Sequence, residues 1–167
     1  PTTVYGATKA AGEALMHAYY SEHGIDAAAL RVASCYGPGR TTSCMIRTLV
    51  EDGLAGRTSR IHPAPGRTRQ HIFVGDVVGA VRAALDAPVL HQRVYNIGPG
   101  RAQTLEEIIE QVRKAVPEAN VALDPEGFAW NTFGLGPLAV DAARRDFGFS
   151  PATSITDGAA ATRDWVL

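Results

Sequence analysis

Two residues near the start of the chain have a spacing with a chemical use. Tyr5 and Lys9 lie four apart in the stretch Tyr5-Gly6-Ala7-Thr8-Lys9, and on a helix that separation stacks two side chains on one face. A free phenol ionises near pH ~10 and a free ammonium near ~10.4. An ammonium fixed beside the phenol favours the phenolate, which makes Tyr5 a candidate general base or acid. The same ammonium has donors to spare for sugar hydroxyls. By itself the spacing is also that of an ordinary Tyr/Lys pair on a surface helix. Other reactive side chains form no comparable set. Cys35 and Cys44 make neither a disulfide framework nor a metal-ligand spacing, which reads as two reduced cysteines in a cytoplasmic protein. The five histidines are scattered without pairing, so no metal is expected.

The elements that must position the pair follow from composition and pattern. The chain has 167 residues, 46% hydrophobic and 20% charged, which suits one domain, or a domain plus a lobe, with a sizeable core. A formal net charge of -1 gives no electrostatic case for nucleic acid or an anionic membrane surface. No apolar run reaches the ~18 residues of a spanning helix, and the N-terminus does not resemble a signal peptide. A chain that starts at Pro1 and meets its best chemical motif within five residues reads as processed, or as part of something longer.

In order, strands alternate with helices. Gly6 to His23 carries Ala10, Ala14, Leu15, Ala18 and Tyr19 at helical spacing, with Gly24 as a stop. Ala27 to Cys35 is a short apolar run suited to a buried parallel strand, closed by the turn signal Tyr36-Gly37-Pro38-Gly39. A helix is predicted over Ser43 to Leu54, then a loop-rich stretch with a short strand at Ser59 to His62. His71 to Val74 reads as a strand and Val77 to Leu85 as a helix, with Asp76 as its N-cap rather than a catalytic group. Arg93 to Ile97 is another strand. Thr104-Leu105-Glu106-Glu107 is a capping box opening a helix to Val116. A strand at Asn120 to Leu123, a helix near Leu138 to Phe147 and a terminal helix from Thr156 complete an α/β pattern.

Five stretches, read together and in this order, carry a resemblance. They are Tyr5 to Lys9 (YGATK), Leu30 to Gly39 (LRVASCYGPG), Arg69 to Val77 (RQHIFVGDV), Tyr95 to Gly98 (YNIG) and Asp141 to Pro151 (DAARRDFGFSP). The set resembles the C-terminal half of the extended short-chain dehydrogenase/reductases, in particular their NAD-dependent epimerase/dehydratase branch acting on sugar nucleotides. The fold this implies is α/β: the C-terminal part of a Rossmann-like doubly wound parallel sheet plus a small substrate-binding lobe. Residues 1–37 and 67–98 would belong to the Rossmann part, and 38–66 and 99–167 to the lobe. The Ala27–Cys35 and Arg93–Ile97 strands are expected in one parallel sheet.

The resemblance also implies roles. Tyr5 would exchange the proton of a sugar hydroxyl, and Lys9 would hold the nicotinamide ribose and lower the Tyr5 pKa. The backbone of Val32 and Ala33 would lie near the carboxamide of NAD (or NADP). Ser34 stands where the family usually has an asparagine at the substrate diphosphate, and Arg69 matches its diphosphate-binding arginine. Arg69 can equally be read as a solvated loop arginine beside Arg57, Arg60 and Arg67. Two departures stand out. No glycine-rich βαβ turn for a pyrophosphate occurs, nor the family's catalytic Ser or Thr upstream of the tyrosine, so the chain alone is expected to be inactive. The stretch Trp130 to Pro137 (WNTFGLGP) lacks the Arg-Pro-Gly-Asp common among sugar-nucleotide members.

Three functions follow. The first is a sugar-nucleotide epimerase or dehydratase using NAD, and the second a net oxidoreductase of a sugar acid or small carbonyl. The third is a non-catalytic interaction module. A nucleotide sugar or sugar acid is the expected partner, without nucleic acid or membrane. The alanine-rich first helix predicts a homodimer, since in the family this helix commonly lies in a dimer interface.

Overall fold

The computed structural model describes residues 1–129 and 136–167. The departure read in Trp130 to Pro137 therefore lies outside the described residues, apart from Gly136 and Pro137.

The first helix, α1 (Val4–His23), starts where Thr3 accepts a hydrogen bond from Gly6 N at 3.0 Å and stops at Gly24, which adopts φ 67°. None of its residues is buried. A bidentate pair from Arg31 to Glu13, at 2.6 and 2.8 Å, ties it to the strand that follows. That strand is β1 (Ala29–Val32), and β2 (Ser34–Tyr36) continues it almost at once. The expected single strand thus splits at Ala33, because the chain changes partner there. Ala33 N donates to Ile97 O at 2.8 Å, and Ser34 N donates to Gln70 O at 3.1 Å.

Next come α2 (Met45–Leu54), β3 (Thr58–Ile61), β4 (Thr68–Arg69), β5 (His71–Phe73) and α3 (Val74–Asp86). They are followed by β6 (Val94–Ile97), β7 (Gln103–Thr104), α4 (Leu105–Ala115) and β8 (Asn120–Leu123), then α5 (Asp141–Phe147) and α6 (Ile155–Val166). Three pairings are parallel: β1 with β6 from Ala29↔Val94 to Val32↔Ile97, β2 with β5, and β3 with β8. The expected parallel union of the Ala27–Cys35 and Arg93–Ile97 strands is therefore found. The short β4–β7 pairing is antiparallel, with Arg69 opposite Gln103, and neither strand was anticipated.

Apolar faces build two cores. Ile46, Leu49 and Val50 of α2 meet Ile108 and Val112 of α4, Ile155 and Ala159 of α6, Ile61 of β3 and Tyr36. The α4 face (Leu105, Ile108, Ile109, Val112, Ala115) has the helical period, and its capping box forms as the sequence predicts. The second core joins Ile72, Ala80, Tyr95, Ile97, Ala143 and Phe149.

Asp76 is a correction. β5 runs into α3 with no loop between them, so Phe73 takes the N-cap position and Asp76 falls inside the first turn. There its carboxylate accepts from the amides of Ala152 and Thr153, each at 3.2 Å, and fastens the C-terminal segment to α3.

Candidate functional site

Parallel strands end together, and ligands of open α/β sheets lie beyond their carboxyl ends. Here the carboxyl end of β1, at Val32, and the first residues of β2, Ser34 and Cys35, line a cleft of about 680 Å³. Tyr5, Val32, Ala33, Ser34, Arg40, Arg69, Gln70, Gly136 and Leu138 are among its lining residues. Five of the six residues singled out from the sequence thus share one cavity, and the sixth, Lys9, stands beside it. The Lys9 ammonium lies 5.3 Å from the centroid of the Tyr5 ring. Tyr5 is exposed in the first turn of α1.

Arg69 is held from two directions. Its backbone belongs to β4, paired with β7, and its Nε donates to Ser34 Oγ at 3.1 Å. Burial, and then the like charge of Arg40, hold its guanidinium below the ordinary arginine range. Arg69 is half-buried and lines the cleft.

Arg40 was not singled out from the sequence. It follows the Tyr36-to-Gly39 turn, where Gly37 takes φ 131° and a Cβ would meet Val74 at 2.8 Å, so only glycine turns the chain there. The Arg40 guanidinium donates to the carbonyls of Cys35 and of Ser43, the latter at 3.0 Å. Among the described residues neither Arg40 nor Arg69 forms an ion pair with a carboxylate. A smaller recess of about 60 Å³ behind the cleft shares Ser34, Arg40 and Arg69 and reaches His71. Two cations and a hydroxyl without a counter-ion make this wall a place for an anion. The available signal for Arg40 was a basic residue directly after a strand-ending turn.

His71 is buried against Tyr36, edge to face at 6.3 Å, with Nδ1 unpartnered among the described residues. Burial and then the charges of Arg69 and Arg40 push its pKa down to about 3, so it is neutral. No group of three or more His, Cys, Asp or Glu among the described residues converges to hold a metal. No helix among them is long and apolar enough to cross a membrane.

Parallel strands with helices, beside a cleft lined by a tyrosine and two arginines, define a Rossmann-like α/β protein. The model of the NAD dependent epimerase/dehydratase family matches residues 1–98, more than half of the chain, and the chain belongs to that family. It is 27% identical to a dTDP-glucose 4,6-dehydratase of Streptomyces griseus, covering 99% of this chain and 50% of the relative. It is 29% identical to a UDP-glucose 4-epimerase of Mycolicibacterium smegmatis, covering 97% and 52%. The chain spans about half the length of the curated relatives it matches.

Among solved structures, a UDP-glucose 4-epimerase of Thermotoga maritima with UDP-glucose superposes with a TM-score of 0.83 at 23% identity. That match covers 99% of this chain and 54% of the other, and at this identity the likeness is one of fold. A UDP-glucuronic acid 4-epimerase of Bacillus cereus in complex with NAD gives 0.81 at 25% identity, covering 99% and 51%.

Proposed function

We propose that this chain carries the substrate-diphosphate wall and the acid/base tyrosine of an NAD-using sugar-nucleotide epimerase or dehydratase. One observation supports this most: Arg40, Arg69 and Ser34 line one cleft, and among the described residues no carboxylate pairs with either arginine. A diphosphate satisfies both guanidiniums, whereas the single carboxylate of a sugar acid leaves one half-buried charge uncompensated.

Tyr5, at the mouth of the same cleft, would hold and return the proton of a sugar hydroxyl at its phenolic oxygen. Lys9, over its ring, would supply a cation and hydroxyl-binding donors. The strand end at Val32 and Ala33 fits a flat nicotinamide, since it is partly exposed and borders the Tyr5 cleft. NAD, when bound, supplies the reversible acceptance of a hydride. The Bacillus cereus relative was crystallised with that cofactor. The division into a Rossmann part (1–37, 67–98) and a lobe (38–66, 99–167) belongs to this proposal. So does a homodimer through α1, supported by its exposed Leu15 and Tyr19.

The test is calorimetric titration of the chain with UDP and with NAD, then incubation with NAD and UDP-glucose or dTDP-glucose. Sugar NMR would register inversion at a ring carbon or loss of water. Stoichiometric growth of the reduced-nicotinamide absorbance would favour the net oxidoreductase instead. Binding of neither UDP nor NAD would remove the reading for this chain.

A further inference from the structure

One wall of the cleft comes from far along the chain. Gly136 and Leu138 line it beside the end of β1, and a single buried side chain, Gln70, meets both of their backbones. Gln70 Nε2 donates to Gly136 O at 2.9 Å, and Gln70 Oε1 accepts from Leu138 N at 3.2 Å. A carbonyl on one side and an amide on the other fix the orientation of the carboxamide, because the flipped form would face donor to donor and acceptor to acceptor. Gln70 is only 5% exposed, so neither group has water to turn to.

The backbone of the same residue serves the anion wall. Gln70 O accepts from Ser34 N at 3.1 Å, and the residue before it is Arg69. One residue therefore connects two parts of the cleft lining: its main chain sets Ser34 and Arg69, and its side chain sets Gly136 and Leu138. The seam is closely fitted. A Cβ at Gly98 would lie 3.2 Å from Ala33 Cβ, 3.3 Å from Leu138 Cδ1 and 3.5 Å from Gln70 Oε1. Asn96 Nδ2 donates to Ala139 O at 3.0 Å and extends it by one residue.

We infer that Gln70 is a positioning residue that straps the 136–138 segment alongside Ser34 and Arg69, so that a nucleoside diphosphate in the cleft meets both sets of residues in a fixed arrangement. This rests on the reading of the cleft as a sugar-nucleotide site. Loss of the strap would leave Arg69 and Ser34 in place but move the 136–138 segment beside them, and such misplacement costs affinity without touching a charge.

The experiment is backbone amide exchange by NMR together with UDP titration, on the unmodified chain and on Gln70→Leu. In the variant the Leu138 amide should exchange about tenfold faster, since its acceptor is gone. The amides of Ile108 and Val112, in the other core, should be unchanged, and UDP should bind about tenfold more weakly. On the unmodified chain, saturating UDP should slow exchange at Leu138, a result that does not depend on the variant folding. Unchanged Leu138 exchange in the variant would overturn the strap, as would equal acceleration at Ile108, which marks general loosening. A released Leu138 with full UDP affinity would overturn its role in binding. Failure of the unmodified chain to bind UDP would overturn the nucleotide reading and the coupling built on it, while the exchange comparison would still judge the strap.

Discussion

Arg69 Nε donates to Ser34 Oγ at 3.1 Å, joining two residues that are 35 positions apart in sequence. The bond aims a half-buried guanidinium along the cleft, and among the described residues it is the one hydrogen bond that the guanidinium makes. Arg69→Gln should weaken UDP binding at least about tenfold, as removal of a charged hydrogen-bonding partner does. Ser34→Ala should weaken it by less, because it frees the aim of the guanidinium but keeps its charge. Titration calorimetry of the two variants checks the order.

Arg40 is tied to backbone carbonyls and, among the described residues, not to an acid, so its charge is available. Arg40→Met should lower UDP affinity and flatten its dependence on ionic strength, since one cation fewer faces the diphosphate. Affinity for UDP measured across a salt series decides this. An unchanged slope would mean that Arg40 only shapes the turn.

Tyr5 and Lys9 are both exposed, so their replacement should leave stability near that of the unmodified chain. In any preparation that turns over a sugar nucleotide, Tyr5→Phe should reduce the rate by about 10²–10⁴ with UDP affinity unchanged. Lys9→Met should weaken NAD binding and turnover together. Rates and binding constants measured side by side separate the two roles.

His71 links pH to stability. Its pKa is near 6.5 in the unfolded chain and about 3 in the fold. The unfolded state therefore binds the extra proton, and stability is fully present above about pH 6.5 and lost as pH falls toward about 3. Across that window each pH unit costs up to about 1.4 kcal/mol from this group. Thermal midpoints at stepped pH should fall more steeply for the unmodified chain than for His71→Phe. Parallel curves would mean that His71 reaches solvent before unfolding.

Gly158 of α6 lies against Tyr36. A Cβ there would overlap Tyr36 Oη and sit 2.7 Å from its Cζ. Gly158→Ala should lose about 1–3 kcal/mol despite the better helix propensity of alanine, because the phenol is fully buried. Tyr36→Phe in the same chain should recover only part of this, since the ring carbon stays in place. Denaturant midpoints of the single and double variants give the coupling.

Local rules settled much of this chain. The capping box at Thr104 and Glu107, the helical period of α4 and the apolar run at β1 are set by neighbours a few residues apart, so they can be read without the fold. The four-residue spacing of Tyr5 and Lys9 is of the same kind. What only tertiary structure decided depends on partners distant in sequence. Gln70 gained its role from Gly136 and Leu138, 66 and 68 positions downstream, and Asp76 lost its cap because β5 enters α3 without a loop. Arg40 turned to the cleft because backbone carbonyls, which no residue pattern encodes, hold its guanidinium. Hydrogen bonds to the main chain depend on where the backbone lies, and packing alone places a backbone dozens of residues away.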